Sequence, residues 1–182
     1  MAVYVALLRN INVGGHPKLA MADLRKAVEN LGYEDVRTYI QTGNIVLTAA
    51  QTTPAEIGAA LEKLISAEFG VTSTAIVRSA SEMASVAGAN PFEKVAQSPS
   101  HLHVTFLAGT PERDAGELDS ARGAGEQFEL NGQELYLHCP NGYGRTKLNT
   151  GLVEKRLGVR ATTRNWNSVT TLAAMSSSLE EQ

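Results

Sequence analysis

Cysteine is nearly missing: Cys139 is the only one in 182 residues, so the chain forms no internal disulfide and suits a reducing, cytoplasmic compartment. Aromatic residues make up only 5% of the sequence, and no apolar run approaches the roughly 20 residues a membrane-spanning helix needs. The first ten residues, MAVYVALLRN, have no basic start and no small-residue cleavage site, so they read as a strand and not as a targeting peptide. Charge of one sign is lacking as well: 16 basic side chains face 19 acidic ones, which weighs against non-specific binding to polyanions. The GxSxG, HExxH, CxxC and EF-hand signatures are absent, and no motif names a cofactor. What is present is ordinary globular material, 43% hydrophobic and 19% charged. A chain of this length buries roughly two-thirds of its unfolded surface and needs no metal or disulfide staple.

Residues 3–8 (VYVALL) are apolar throughout, as in a strand buried on both faces. Met21, Leu24, Val28 and Leu31 then recur at helical spacing, with Gly32 placed for a left-handed cap. Residues 36–41 and 45–48 are strands flanking a Thr42-Gly43-Asn44 turn. Thr53-Pro54 with Glu56 is a capping box that opens a helix closed by Gly70, and residues 71–78 form the next strand. The second half repeats this order. Ser79 and Glu82 cap a short helix, 101–108 is a strand, and Thr110-Pro111 opens a helix ended by Gly123 and Gly125. A hairpin turns at Asn131-Gly132, a helix occupies 147–157, a strand 159–163, and a last helix about 166–176. The tail SSSLEEQ reads as frayed. The expected fold is therefore α+β: two ferredoxin-like βαββαβ units in tandem, antiparallel sheets with helices on one face, plus a C-terminal helix. The expected boundaries are 1–78, a helix and linker over 79–100, and 101–182. The duplication is one of pattern, without an obvious residue-level repeat.

Three segments carry a resemblance: LLRNINVGGHPKLAMADLR at 7–25, VRTYIQTGNIV at 36–46 and TTRNWNSVTTL at 162–172. In this order and spacing they resemble the bacterial domain-of-unknown-function 1697 family across nearly the whole chain. The resemblance implies two differently decorated ferredoxin-like units and brings no activity with it. Asn10 stands where that family has glycine in LLRGINVGG, and Thr42 where it has serine.

Positive charge is concentrated late. Between 141 and 170, Arg145, Lys147, Lys155, Arg156, Arg160 and Arg164 face Glu154 alone, a local +5 in a protein whose remainder is −8. The loop Asn141–Lys147 is expected to open a helix, with Gly142 and Gly144 allowing close approach, Arg145 forking onto an anion and Lys147 supplying a point charge. It matches neither a Walker A loop nor the dinucleotide fingerprint. The bland reading is a turn with solvated cations. An earlier loop holds Arg9, Asn12, Gly14, Gly15, His16 and Lys18 at the end of the first strand, where loops often carry function. Its bland reading is a connection that positions the first helix.

Thr163-Arg164-Asn165-Trp166 offers an anion clamp, a helix cap and a stacking ring, or else a structural lock with Arg164 laid over Trp166. Strand alternation puts His101 and His103 opposite Leu102, Val104 and Phe106, and it separates His138 from Leu137 and Cys139. On that parity His101, His103 and His138 meet on the open sheet face as a three-imidazole candidate for zinc, with polar surface as the alternative. Cys139 reads as inert core.

The site expected from these residues is Arg9, Asn12, Gly14, Gly15, Lys18, Arg145, Lys147, Arg164, Asn165 and Trp166, holding a small anionic ligand such as a nucleotide, phosphate or carboxylate compound. An enzyme acting on such a ligand is the alternative, followed by an RNA-binding or protein-interaction module. The net −3 charge, few aromatics and missing RNP1 pattern argue against nucleic acid. Nothing in the sequence assigns an oligomeric state.

Overall fold

A computed structural model describes residues 1–14 and 18–182, and the three residues between them, Gly15, His16 and Pro17, lie outside the description. The chain divides into two compact units, Met1–Ser85 with Leu172–Gln182, and Val86–Thr171.

In the first unit the order is β1 (Ala2–Leu8), α1 (Met21–Asn30), β2 (Glu34–Tyr39), β3 (Asn44–Ala49), α2 (Pro54–Phe69) and β4 (Ala75–Ser79). The sheet runs β2-β3-β1-β4 with every neighbouring pair antiparallel, which is the ferredoxin-like arrangement. Tyr4, Ala6 and Leu8 of β1 share a core with Ile45 and Leu47 of β3, Leu24 and Val28 of α1, and Leu61 and Ile65 of α2. The alternate residues Val3, Val5 and Leu7 are buried as well, so the unbroken apolar run records a strand covered on both sides.

α2 shows how far local signals reach. Thr53 accepts the Glu56 amide and Glu56 accepts the Thr53 amide, a reciprocal capping box with Pro54 in the first turn, and Gly70 closes the helix at φ +65°. Strand β4 starts at Ala75, later than the expected residue 71. The intervening backbone is engaged elsewhere, because the Val71 amide reaches back to the Ile65 carbonyl and the Ala75 amide binds Glu62.

After α3 (Ala80–Gly88), the second unit contains β5 (Leu102–Leu107), β6 (Gln127–Asn131), β7 (Glu134–His138), α4 (Thr150–Leu157) and β8 (Ala161–Asn165), and α5 (Trp166–Glu180) follows. Its sheet order, β6-β7-β5-β8, repeats the first, again antiparallel. Among the described residues no helix is long and apolar enough to cross a membrane.

Several expectations are corrected here. Thr110-Pro111 opens no α-helix; a 3₁₀ run over Ala115–Ala121 stands in its place. The Glu112 and Arg113 amides bind the Leu157 carbonyl, and the Asp114 carboxylate takes the Gly116 amide, so the helical turns start late and stay tight. The hairpin loop is Gly132-Gln133, one residue later than expected, since Asn131 still pairs with Glu134. The tail is not frayed from Ser176: α5 continues to Glu180, and Ser176 and Leu179 are buried.

Register also reveals a residue-level repeat that the sequence concealed. Arg78 of β4 faces Val5 of β1, and Arg164 of β8 faces Val104 of β5. Each arginine is buried and precedes a polar cap, with Ser79 accepting the Glu82 amide and Asn165 accepting the Ser168 amide.

The β2–β3 turn yields a test. Gly43 sits at φ +83°, and a Cβ there would lie 2.8 Å from the Leu8 Cβ and 3.0 Å from Ile11 Cγ1. Gly132, at φ +61°, has nothing within 4 Å. Gly43→Ala should therefore cost about 2–4 kcal/mol, conformational strain plus overpacking, and Gly132→Ala about 1 kcal/mol from strain alone. Urea unfolding midpoints measure both, and equal losses would mean that the steric contact counts for nothing.

Candidate functional site

The loop leaving β1 is fastened where it starts, by both backbone groups of Arg9. The Arg9 amide donates to the Thr74 carbonyl, and the Ser73 hydroxyl donates to the Arg9 carbonyl at 2.6 Å. Three of the next residues take left-handed conformations, Asn10 at φ 60°, Asn12 at φ 56° and Gly14 at φ 53°. Asparagine tolerates that region better than most side-chain-bearing residues, which suits Asn10 and Asn12 to these positions.

Asn12 is wholly occupied with the backbone. Its Nδ2 donates to the carbonyls of Leu19 (2.9 Å) and Gln41 (2.8 Å), and its Oδ1 accepts the Leu19 amide at 2.6 Å. Asn12 is thus a positioning residue, joining the two ends of its own loop to the β2–β3 turn. Inside that turn Asn44 is fully buried and donates to the Tyr39 carbonyl and the Thr42 hydroxyl.

This scaffold borders a cleft of about 740 Å³. One wall is formed by residues 10–14 with Lys18 and Leu19, the other by the end of α2 and the segment after it, residues 69–72. Lys18 is exposed, and two residues on Ala20 occupies the first cap position of α1 with no side chain to take its amides. Of the expected site residues, the cleft gathers Asn12, Gly14 and Lys18. Arg9 is half-buried at the loop's start and outside the lining, and Gly15 and His16 lie outside the described residues. Sequence reasoning missed the second wall, because nothing local marks residues 69–72 as neighbours of residues 10–14.

The other candidate residues belong to the second unit. The Asn141–Lys147 loop does not open α4, which begins at Thr150. Its amides close on the loop itself, Gly142 to the Cys139 carbonyl, Arg145 to Gly142 and Thr146 to Tyr143. The Asn149 side chain then caps α4 by accepting the Leu152 amide at 3.0 Å. Arg145 and Lys147 are exposed. The basic cluster is also partly structural: Arg156 donates to the Glu117 carbonyl and the Ser120 hydroxyl, tying α4 to the 3₁₀ run.

Arg164 is buried, donating to the Thr162 hydroxyl at 2.7 Å and the Thr163 carbonyl at 2.9 Å, and burial lowers its pKa to about 10. Asn165 is spent as the α5 cap, and Trp166 is 3% exposed.

The histidines do not converge as expected. Opposed residues on neighbouring strands share a face, and the register pairs Leu102 with His138 but His103 with Leu137. His103 therefore lies on the helix-covered side with Leu135 and Leu137, and His138 on the opposite side. Tyr143 stacks on His103 with ring centroids 4.4 Å apart, whereas His138 lies against Phe92 and contacts Gln127. Among the described residues no group of three metal-ligating side chains forms. Cys139 is fully buried, and burial first, then the Glu126 charge, pushes its thiol up to about 11, as suits a packing residue.

Burial also lowers the His103 pKa from 6.5 to about 4, and its Nδ1 has no hydrogen-bond partner among the described residues. The unfolded chain takes up this proton near 6.5 and the fold resists it until about 4, so stability present above pH 6.5 falls as pH drops through that window. The loss reaches roughly 3 kcal/mol. Urea unfolding at neutral and mildly acidic pH should show this drop in the wild type and a much smaller one in His103→Gln. An unchanged pH slope in the variant would assign the acid sensitivity to other groups.

The wider comparisons agree with this architecture. A conserved bacterial protein, SP0830 from Streptococcus pneumoniae, has a similar fold with a TM-score of 0.73 at 23% identity, covering 96% of this chain and 98% of that one. No curated protein matches the chain. The family described as "Protein of unknown function (DUF1697)" matches residues 1–136. With three-quarters of its length matched, two sheets in ferredoxin-like order and the loop and turn motifs locked together in the first, the chain belongs to the DUF1697 family.

Proposed function

We propose that the protein binds a small anionic compound in the cleft of its first unit, with Lys18 as the charge partner. The observation that carries this reading is the lining itself: among the described residues it holds one formal charge, Lys18, and no carboxylate, imidazole or thiol. A cation without a competing acid attracts an anion. Among the described residues, the same lining has no group suited to general acid or base work near neutral pH, which favours binding over turnover. The net charge of −3 favours a small ligand over a nucleic acid.

Thermal unfolding in the presence of inorganic phosphate, nucleotides, sugar phosphates and carboxylates tests the reading, since a ligand of the native state at 100 times its Kd adds about 2.7 kcal/mol. A compound that stabilises the wild type should bind Lys18→Ala roughly tenfold more weakly. Loss of affinity in Arg145→Ala in place of Lys18→Ala would move the site to the second unit's loop. No stabilisation by any anion would end the proposal.

A further inference from the structure

We propose that the first unit's cleft takes an amphiphilic monoanion, a free carboxylate with an aliphatic or aryl body, in preference to a bare or multiply charged phosphate. This rests on the reading of the cleft as an anion site and adds the class of ligand.

Charge is the first argument. Lys18 is the single formal charge in the described lining. One negative charge is matched by that cation, whereas a second would find no further cation among the described lining residues. Apolar surface is the second. Val13 is 47% exposed although it is a β-branched hydrophobe. Phe69 and Val71 are only partly covered by the core they pack against. All three line the cleft, so their uncovered surface faces the space a ligand would fill. That space, about 740 Å³, lies within the range of roughly 300–1,000 Å³ typical of sites for compact organic ligands.

The two walls also differ in polarity, which orients the ligand. Lys18 supplies the positive side. The other side carries the carbonyl end of α2 at Phe69 and Gly70, where the helix dipole is negative. A carboxylate head is drawn to the first and repelled by the second. The head therefore lies by Lys18, and the apolar body runs along Phe69 and Val71 toward Val13.

Titration of the full chain with straight-chain carboxylates from acetate to octanoate, followed by backbone amide NMR shifts, tests this. Affinity should rise up to about fourfold for each added methylene, with shifts confined to the cleft walls. Lys18→Ala should weaken every member by the same factor. Val13→Ser, at an exposed position that leaves the core intact, should flatten the dependence on chain length. Affinity that stays flat from acetate to octanoate overturns the ligand class and leaves the anion site standing. Equal binding of octanoate and octylamine overturns it too, because the charge would then play no part. If acetate, octanoate and inorganic phosphate all fail to bind, the anion site falls as well.

Discussion

The contact between the β1 loop and the β2–β3 turn governs the first unit. Gly43 lies so close to Leu8 and Ile11 that a methyl group would overlap them, and the Leu8 amide donates to the Gly43 carbonyl at 2.8 Å. Asn12 extends the junction with three hydrogen bonds to backbone groups of Leu19 and Gln41, each worth about 1 kcal/mol net and more when its loss strands a buried partner. Together they hold a loop whose backbone is otherwise costly: Asn10 and Asn12 lie in the left-handed region, and so does Ile40 of the turn at φ 46°, where a β-branched residue is strained by about 1–2 kcal/mol.

Two of the segments that carry the family resemblance, one in the loop and one in the turn, are thus two sides of a single junction. Glycine is required where backbone meets side chain, and asparagine where a side chain must stand in for missing backbone partners. The third segment does different work in the second unit. Thr163 shares its hydroxyl with Thr105 and with Thr150, joining β5, β8 and the start of α4 at 2.8 Å each, while Arg164 and Trp166 are buried and Asn165 caps a helix. The placement of Arg78 and Arg164 opposite a valine of the central strand, each followed by a helix cap, shows two units built to one plan despite their divergent sequences.

Much of the fold was legible in the sequence because its signals were local. A threonine three residues before a glutamate, a glycine after the last apolar helical position, and a hydrophobic stripe at steps of three and four act within one or two turns. α2 and the Gly158 cap of α4, at φ +67°, appear as the residues imply. Where the reading failed, a distant group had claimed the local backbone. The segment after Pro111 is drawn to the Leu157 carbonyl, and the segment after Gly70 folds back on α2 and Glu62. In the hairpin, cross-strand pairing carried β6 one residue past the point that Asn-Gly suggested.

The site divides in the same way. Composition and residue type identified the loop and its cation, since charge is a property of single residues, whereas the left-handed conformations of Asn10 and Asn12 appear only in the structure. Side-chain parity along a strand was also readable, but not which face the helices would cover, so three histidines assigned to one surface fall on both sides of a sheet. Whether a basic residue is free or consumed was equally hidden, because Arg156 and Arg164 meet their acceptors only after strands and helices have packed. A wall at residues 69–72 opposite residues 10–14 is a fact of chain return, set by antiparallel pairing of β1 with β4 and by no signal in either segment alone.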